Sequence, residues 1–409
     1  MSLPLTGLRV LDLSRLLPGP FCSLLLADFG ADVIKVEDTG MGDYVRWSPP
    51  YYDGAPETTR SALFLALNRN KRSIRINLKS EAGTAVLLRL VRDADVLLES
   101  FRPGVLDRLG VGYERLRLQN PALVYCAISG YGQDGPNRDR SGHDMNYLGL
   151  NGILGLTGDP GGPPVQAAAQ IADIGGGSLM AAVGIMVALR ERDRSGEGQL
   201  VDCSMFDGAL SWLAMVAGEA LHSGHGARRG ELSLAGRFVC YRPYECADGW
   251  VTLGALEPKF WSAWCEGVER SELIEGQFDP PGSATHAAVQ KIFAQRTREQ
   301  WRAFASEHDC CLEPVLELDE VLDSELVRAR EMVVAIDQPG VAEPVRQLGV
   351  PIKFSRTPGD TGRAPGPELG EHTDEILAAA GYDAAAIAQL HSTGAIAGAG
   401  DAVRGSFLS

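Results

Sequence analysis

The apolar positions of the first half of the chain fall into short runs that alternate with longer stretches of helical spacing. The helical spacing predicts helices at residues 21–29 and 81–94, and Gly30 supplies a stop after the first of them. The short runs predict strands at residues 10–13, 32–36, 73–78, 95–98 and 124–128. Apolar and polar residues alternate in the run 73–78, which predicts a half-exposed strand. Strands that alternate with helices are typical of an α/β fold with a largely parallel sheet.

The pattern changes in the second half of the chain. Long helices are predicted at residues 178–192, opened by three glycines, and at 206–222. A small polar linker then leads into a compact unit that mixes strands and helices, and after residue 339 the chain is extended and rich in proline. A short helix is expected at residues 372–380, and the last dozen residues should be weakly ordered. We therefore predict domains over residues 1–223, 224–330 and 331–409: a large domain, a smaller α+β domain and a C-terminal arm.

Charge and composition narrow the classes of partner. The 409 residues carry 38 Lys and Arg against 53 Asp and Glu, a formal net charge of -15 that disfavours nucleic acid and anionic membranes as partners. The first ten residues do not resemble a secretory signal, and no apolar run approaches the ~18 residues that span a membrane. The eight cysteines form no CxxC pair and no zinc-like cluster with histidine. We expect a cytoplasmic protein with reduced thiols, without a membrane or metal site.

Ligands of parallel sheets bind beyond the carboxyl ends of the strands, so the loops at residues 14–20, 100–104 and 129–143 are the places to search. No GxxxxGK[ST] or GxSxG motif is present. Basic residues do flank the predicted strands: Lys71 and Arg72 with Lys79, and Arg102 directly after a buried run. They fit either a solvated rim or a clamp for phosphate groups.

Four ionisable residues are candidates for chemistry, although each also has a structural explanation. His143 and Asp144 stand side by side between a glycine-rich loop and an apolar stretch. Asp144 suits a helix cap or a catalytic carboxylate, and His143 suits a loop histidine or a general base. Asp173 precedes the three glycines and Glu257 precedes Pro258, so both also stand at predicted helix starts.

In their order along the chain, these segments resemble the CaiB/BaiF family, also called family III coenzyme A transferases. The resemblance covers nearly the whole chain. It is carried by residues 7–12, 18–20, 27–37, 70–73, 101–104, 132–136, 175–178 and 370–373. It implies a Rossmann-like large domain whose parallel sheet is built from both chain ends, a smaller α+β domain, and an interlocked homodimer. The C-terminal arm would return to the large domain.

The resemblance also implies two alternative chemistries on an acyl-CoA substrate, with no tightly bound cofactor and no metal. In the transferases an aspartate that matches Asp144 is a covalent nucleophile. In the 2-methylacyl-CoA racemases a histidine that matches His143, partnered by a glutamate matching Glu257, and an aspartate matching Asp173 move the proton alpha to the thioester. Such chemistry needs a base on each face of the alpha carbon.

The two alternatives draw on different parts of the chain. The residues from Gly142 to Tyr147 resemble the racemases, whereas residues 38–59 look more like the transferases. We expect a racemase or epimerase, with a CoA transferase as the alternative. A racemase arginine that meets the nucleotide is replaced here by Asp38, and Arg46 is the expected substitute. The CoA contacts implied by the resemblance are Arg46, Lys71, Arg72, Ile76, Asn77, Lys79, Arg102, Gly142 and Tyr147.

Overall fold

The computed structural model describes residues 2–52, 54 and 60–400. Its strands are β1 (Arg9–Asp12), β2 (Asp32–Glu37), β3 (Lys71–Ile76), β4 (Val96–Glu99), β5 (Val124–Ser129), β6 (Leu200–Ser204), β7 (Tyr241–Cys246), β8 (Gly249–Gly254), β9 (Leu312–Pro314), β10 (Val333–Ile336), β11 (Val345–Leu348) and β12 (Ile396–Ala397). Its helices are α1 (Pro18–Asp28), α2 (Ala62–Asn68), α3 (Glu81–Val91), α4 (Val105–Arg108), α5 (Tyr113–Gln119), α6 (Asp144–Leu150), α7 (Ile153–Leu156), α8 (Met180–Ser195), α9 (Met205–Ser211), α10 (Ala214–Ser223), α11 (Pro258–Gly267), α12 (Ala284–Phe293), α13 (Arg298–Glu307), α14 (Leu318–Leu322), α15 (Glu325–Ala329), α16 (Thr373–Ala379) and α17 (Ala384–Ser392).

The central sheet has the strand order β12-β3-β2-β1-β4-β5-β6. Strands β1 to β6 pair in parallel, and the short β12 pairs antiparallel with β3. The predicted α/β class with a parallel-dominated sheet is thus confirmed, and the far C-terminal part of the chain supplies one edge strand. The order reverses between β3-β2-β1 and β4-β5-β6, which is where open sheets of this kind form a ligand crevice.

Strand β3 is buried on both faces, so the prediction of a half-exposed strand is wrong. The polar side chains that suggested exposure have hydrogen-bond partners inside the protein. Arg75 is fully buried, and its guanidinium donates hydrogen bonds to the carbonyl oxygens of Thr39, Gly40 and Gly398. An arginine with several acceptors can be buried at acceptable cost, and alternation in sequence does not show these acceptors.

The long glycine-opened helix begins earlier than predicted. A π-helix covers Ile171–Leu179 and continues directly into α8, so the three glycines lie inside the helix. A methyl group on Gly176 would lie 2.5 Å from the Met205 carbonyl oxygen, and one on Gly208 would lie 2.0 Å from the Gly176 oxygen. The glycines therefore permit close contact between the π-helix and α9. The predicted single helix at residues 206–222 is divided into α9 and α10.

The chain divides into two compact units. The first comprises Met1–Asn151, Ala167–Trp212 and Leu326–Ser409, and the second comprises Gly152–Gln166 and Leu213–Glu325. Helix α10, expected in the large domain, belongs to the second unit, as does the segment 152–166. The predicted weak order of the final residues falls mostly outside the described part of the chain.

The second unit is built around the antiparallel sheet β7-β8-β9. Stacked aromatic side chains fill its core, with ring centroids of Trp261 and Trp264 5.3 Å apart and those of Trp264 and Phe293 5.2 Å apart. Large buried aromatic rings supply much apolar area per residue, which stabilises a unit of this modest size. The expected mixture of strands and helices is present here.

Candidate active site

A cavity of about 920 Å³ opens at the carboxyl ends of β1, β4 and β5 in the first unit. Its wall is formed by the loops that follow these strands, by α6 and by the π-helix. Among the predicted site residues, the wall contains Arg102, Gly142, His143, Tyr147 and Asp173. The tertiary fold thus brings together residues from three separate parts of the sequence.

His143 and Asp144 face different groups at the start of α6. His143 is exposed at the N-cap, and its backbone N–H donates to the side-chain oxygen of Asn146 at 2.9 Å. Asp144 is buried, and its Oδ1 accepts the backbone N–H groups of Ala172 at 2.7 Å and Asp173 at 3.0 Å. Asp144 therefore caps the start of the neighbouring π-helix and fixes Asp173 relative to His143.

The carboxyl group of Asp173 is suited to proton transfer. Burial, together with the negative charge of Asp144, raises the pKa of Asp173 to about 7. A carboxyl group with a pKa near neutrality can accept and return a proton with little energetic penalty in either direction. Asp173 is thus the strongest candidate for a general acid or base in this cavity.

Tyr147 supports the loop that carries His143. Its hydroxyl donates to the Gly142 carbonyl oxygen at 2.6 Å, and its ring meets Tyr131 edge to face at 5.2 Å. A methyl group added to Gly130 or Gly142 would lie 2.7 Å from the Tyr147 ring. Glycine at these two positions lets the loop pack directly on the ring, so Gly142 and Tyr147 shape the cavity wall.

A second cavity of about 750 Å³ lies at the carboxyl ends of β2 and β3. The predicted CoA-binding residues Ile76, Asn77 and Lys79 line it. Arg15 and Phe101 line both cavities, so the two spaces share a boundary. A long ligand can therefore extend from one cavity into the other across these two side chains.

Arg46 and Lys71, which the resemblance implies as CoA contacts, have internal partners in the structure. Arg46 is almost fully buried, forms a two-pronged ion pair with Glu37 and donates its remaining nitrogen to the Pro367 carbonyl oxygen. The Lys71 ammonium group is buried among Asp12, the Pro20 carbonyl oxygen and Asn68. Both side chains have their donors satisfied internally, so exposing them to a phosphate would leave buried carboxylates unpaired.

Arg72 also has protein partners, but it lies at a different place. Its guanidinium pairs with Asp32 at 2.8 Å and with Glu375 at 3.0 Å. Asp32 begins β2 and Arg72 is the second residue of β3, so the pair sits at the amino edge of the parallel sheet. This edge is opposite the cavities, and the predicted CoA contact of Arg72 stays a prediction.

Glu257 lies in the second unit, where it is exposed at the N-cap of α11. Its predicted partnership with His143 stays a prediction. Arg15 was not singled out from the sequence, although its loop was among those to be searched. Its position directly after the first strand is the signal that could have identified it.

The chain belongs to CoA-transferase family III, whose sequence profile matches residues 5–373. The resemblance noted from the motifs is confirmed. The chain is therefore an enzyme of a family whose members include acyl-CoA racemases and CoA transferases.

Relatives with both activities are similarly close. The chain is 36% identical over 392 residues to the alpha-methylacyl-CoA racemase of Mus musculus, covering 95% of this chain and 96% of that protein. It is 35% identical over 391 residues to the succinyl-CoA:mesaconate CoA-transferase of Haloarcula marismortui, covering 93% and 97%. A crystal structure of a CaiB/BaiF family protein from Brucella suis superposes with a TM-score of 0.80 at 32% identity, covering 93% of this chain and 100% of that one.

Proposed function

We propose that this enzyme is a 2-methylacyl-CoA racemase or epimerase. The observation that carries the proposal is that His143 and Asp173 line the same cavity. Asp144 is absent from the described wall of that cavity and binds backbone N–H groups instead. This arrangement presents two proton-transfer groups to a substrate and holds the third ionisable group in a supporting position.

In the proposed reaction, one group of the pair removes the proton alpha to the thioester, and the C–H bonding electrons pass into an enolate. The other group then delivers a proton to the opposite face of the same carbon. No net proton is gained or lost over the cycle, because His143 and Asp173 exchange protonation states. The raised pKa of Asp173 suits this task, since the group must be basic in one direction and acidic in the other.

The second cavity supports a CoA thioester as the substrate. With the acyl group beside His143, the rest of the CoA molecule would pass Arg15 and Phe101, which line both cavities. The nucleotide would then occupy the space lined by Ile76, Asn77 and Lys79. Arg102, exposed in the wall of the first cavity, is available to a phosphate or a carbonyl oxygen along the way.

One observation favours the alternative of a CoA transferase. Both hydrogen bonds to Asp144 use Oδ1, and among the described residues Oδ2 has no hydrogen-bond donor. A carboxylate with one oxygen held and the other free has the geometry of a nucleophile that is oriented for attack. In the transferase reaction, the Asp144 carboxylate would attack the thioester carbonyl carbon, the C–S bond would break and release the CoA thiolate, and a mixed anhydride would remain on Asp144.

Two substitutions separate these mechanisms. His143→Ala should lower the rate of alpha-proton exchange by about 10²- to 10⁴-fold, the usual cost of removing a general base. Asp144→Asn should retain measurable exchange, because the amide oxygen can still accept the N–H groups of Ala172 and Asp173. His391→Ala, on α17, is the matched control and should leave exchange unchanged.

The opposite pattern would favour the transferase. In that case hydroxylamine added during turnover would trap Asp144 as a covalent derivative visible by peptide mass spectrometry. His143→Ala would still transfer CoA to a carboxylic acid acceptor, and Asp144→Asn would not.

A further inference from the structure

The loop at residues 14–16, between β1 and α1, is held by hydrogen bonds to several buried charged side chains. Asp12 Oδ1 accepts the N–H of Ser14 at 2.9 Å, and the buried ammonium group of Lys35 donates to the Ser14 carbonyl oxygen at 3.0 Å. On the other side, the Asp43 carboxylate accepts the N–H of Leu16 at 3.2 Å. Buried ionised groups thus hold the backbone immediately before and after Arg15.

The loop is also strained. Leu16 has a φ of 60°, in the left-handed region that a branched side chain rarely adopts. The Arg15 N–H is directed to the Ser100 hydroxyl at 3.3 Å, which connects this loop to the one that follows β4. Strained backbone that is fixed by its surroundings occurs preferentially where a side chain must be presented in one orientation.

The side chain presented by this loop is Arg15. Its Nη2 contacts Asp38 Oδ2 at 2.8 Å, and its guanidinium carbon lies 5.7 Å from the centre of the Phe101 ring. Asp38 is itself fixed, since its Oδ1 accepts the N–H groups of Gly40 and Gly42. The Nε and Nη1 groups of Arg15 donate to no other group within the described part of the chain, so they face the shared boundary with free donors.

The charges around the second cavity favour an anion at this boundary. Exposed Lys79 and Arg108 line the cavity together with Arg15. Of the two acidic residues in its wall, Glu37 is neutralised by Arg46, which leaves Asp38 as the one carboxylate that opposes three cations. The cavity therefore has a net positive wall in a protein of strongly negative overall charge.

We infer that Arg15 binds the diphosphate of the CoA ligand at the boundary between the two cavities, with Asp38 as the residue that positions its guanidinium. This inference rests on the proposed use of a CoA thioester. It also assigns a residue to the nucleotide side of the ligand, where Asp38 stands at the position of the expected arginine. The arginine is supplied by the loop after β1, and the aspartate orients it.

The test measures binding of CoA, 3′-dephospho-CoA and pantetheine to the full chain by calorimetry. Arg15→Gln should weaken CoA and 3′-dephospho-CoA alike, on the order of 10- to 100-fold for one charged hydrogen-bonded contact, and should leave pantetheine binding unchanged. Arg15→Lys should lose affinity by a smaller factor, because lysine keeps the positive charge but lacks the several N–H donors of the planar guanidinium group. The control Arg117→Gln, on exposed α5, should bind all three compounds as the wild type does.

Other outcomes overturn the inference in recognisable ways. Unchanged affinity of Arg15→Gln removes the residue from the site, and a loss confined to CoA assigns it to the 3′-phosphate instead. An equal loss of affinity for pantetheine would place Arg15 at the pantetheine part of the ligand. If Arg15→Gln does not fold, Arg15→Lys carries the comparison, and wild-type affinity in that variant overturns the assignment of the Arg15 guanidinium to the diphosphate. A wild type that binds neither CoA nor 3′-dephospho-CoA would instead refute the proposed function itself.

Discussion

At the scale of single residues, one contact both positions and tunes the main candidate acid or base. Asp144 accepts the N–H of Asp173, which fixes the start of the π-helix. The same carboxylate adds its negative charge to the effect of burial and so raises the pKa of Asp173 to about 7. Such a carboxyl group costs stability whenever it is ionised, as is common for functional groups held in unfavourable surroundings.

Asp173→Asn should therefore stabilise the protein, and the gain should grow as pH rises from 5 to 8. The folded state retains the Asp173 proton up to about pH 7, whereas the unfolded chain releases it near pH 4, so wild-type stability falls across this interval. The amide does not ionise and avoids this loss, about 1–3 kcal/mol after allowance for partial exposure. Thermal unfolding at pH 5 and pH 8 measures the difference.

The substitution Asp139→Asn is the matched control, because the Asp139 side chain is exposed. It should show no comparable dependence on pH. A gain for Asp173→Asn that is the same at pH 5 and pH 8 would contradict the account of its environment.

Among single residues, the sequence motifs identified the candidate acids and bases but not the partners of the buried cations. His143, Asp144 and Asp173 could be singled out as candidates because each lies in a short local motif. The internal partners of Arg46 and Lys71 could not be predicted, because their carboxylate partners Glu37 and Asp12 are identified only in the folded chain. Burial reverses the interpretation of a cation from a ligand contact to a structural ion pair.

At the scale of elements, the junction of the π-helix with α9 sets the position of Asp173. The strands β1 to β5 could be predicted closely from apolar runs, since each crosses the core. The π-helix could not, because a run of three glycines in sequence indicates a break in a helix. The requirement for glycine arises from α9, which packs against this segment only in the folded chain.

Gly208→Ala should therefore disturb both stability and activity. The added methyl group would lie 2.0 Å from a backbone oxygen of the π-helix, so one element must move. We expect a loss of about 1–3 kcal/mol in stability and a fall in proton exchange, because the moved element carries Asp173. Melting temperature and exchange rate are the measurements.

Gly218→Ala is the control, since no described atom beyond its chain neighbours and its own helix backbone lies within 4 Å of the added methyl group on α10. It should be neutral or slightly stabilising, as alanine favours a helix over glycine. Equal effects of the two substitutions would show that the close contact does not matter.

At the scale of the whole molecule, one helix has an apolar face that is largely exposed among the described residues. The expectation that no apolar run approaches the length of a membrane span is wrong for one stretch. The helical stretch Ile171–Ser195 is long and apolar enough to cross a membrane by length and composition, and 44% of its apolar window is buried within the protein. Val183 and Val187 are 60% and 63% exposed. Apolar surface on a continuous helix face marks a site of association, and we propose that a second copy of the chain covers it.

Sedimentation at nanomolar concentration should therefore show a dimer without a folded monomer. Interlocked chains separate only when they unfold, so dilution alone should not release monomers. Val183→Glu combined with Val187→Glu should prevent accumulation of folded protein, whereas Leu118→Glu, on the exposed side of α5, should not. A folded monomer in equilibrium with the dimer would contradict the interlocked arrangement.

The most direct test of the proposed function follows the alpha carbon of the substrate. The wild-type enzyme is incubated with one epimer of a 2-methylacyl-CoA in heavy water, with no carboxylic acid acceptor. Proton transfer by His143 and Asp173 predicts that deuterium enters the alpha position and that the other epimer appears, as followed by NMR and chiral analysis of the released acid. Absence of exchange across a panel of 2-methylacyl-CoA thioesters, with CoA transfer once a carboxylic acid is added, would contradict the account.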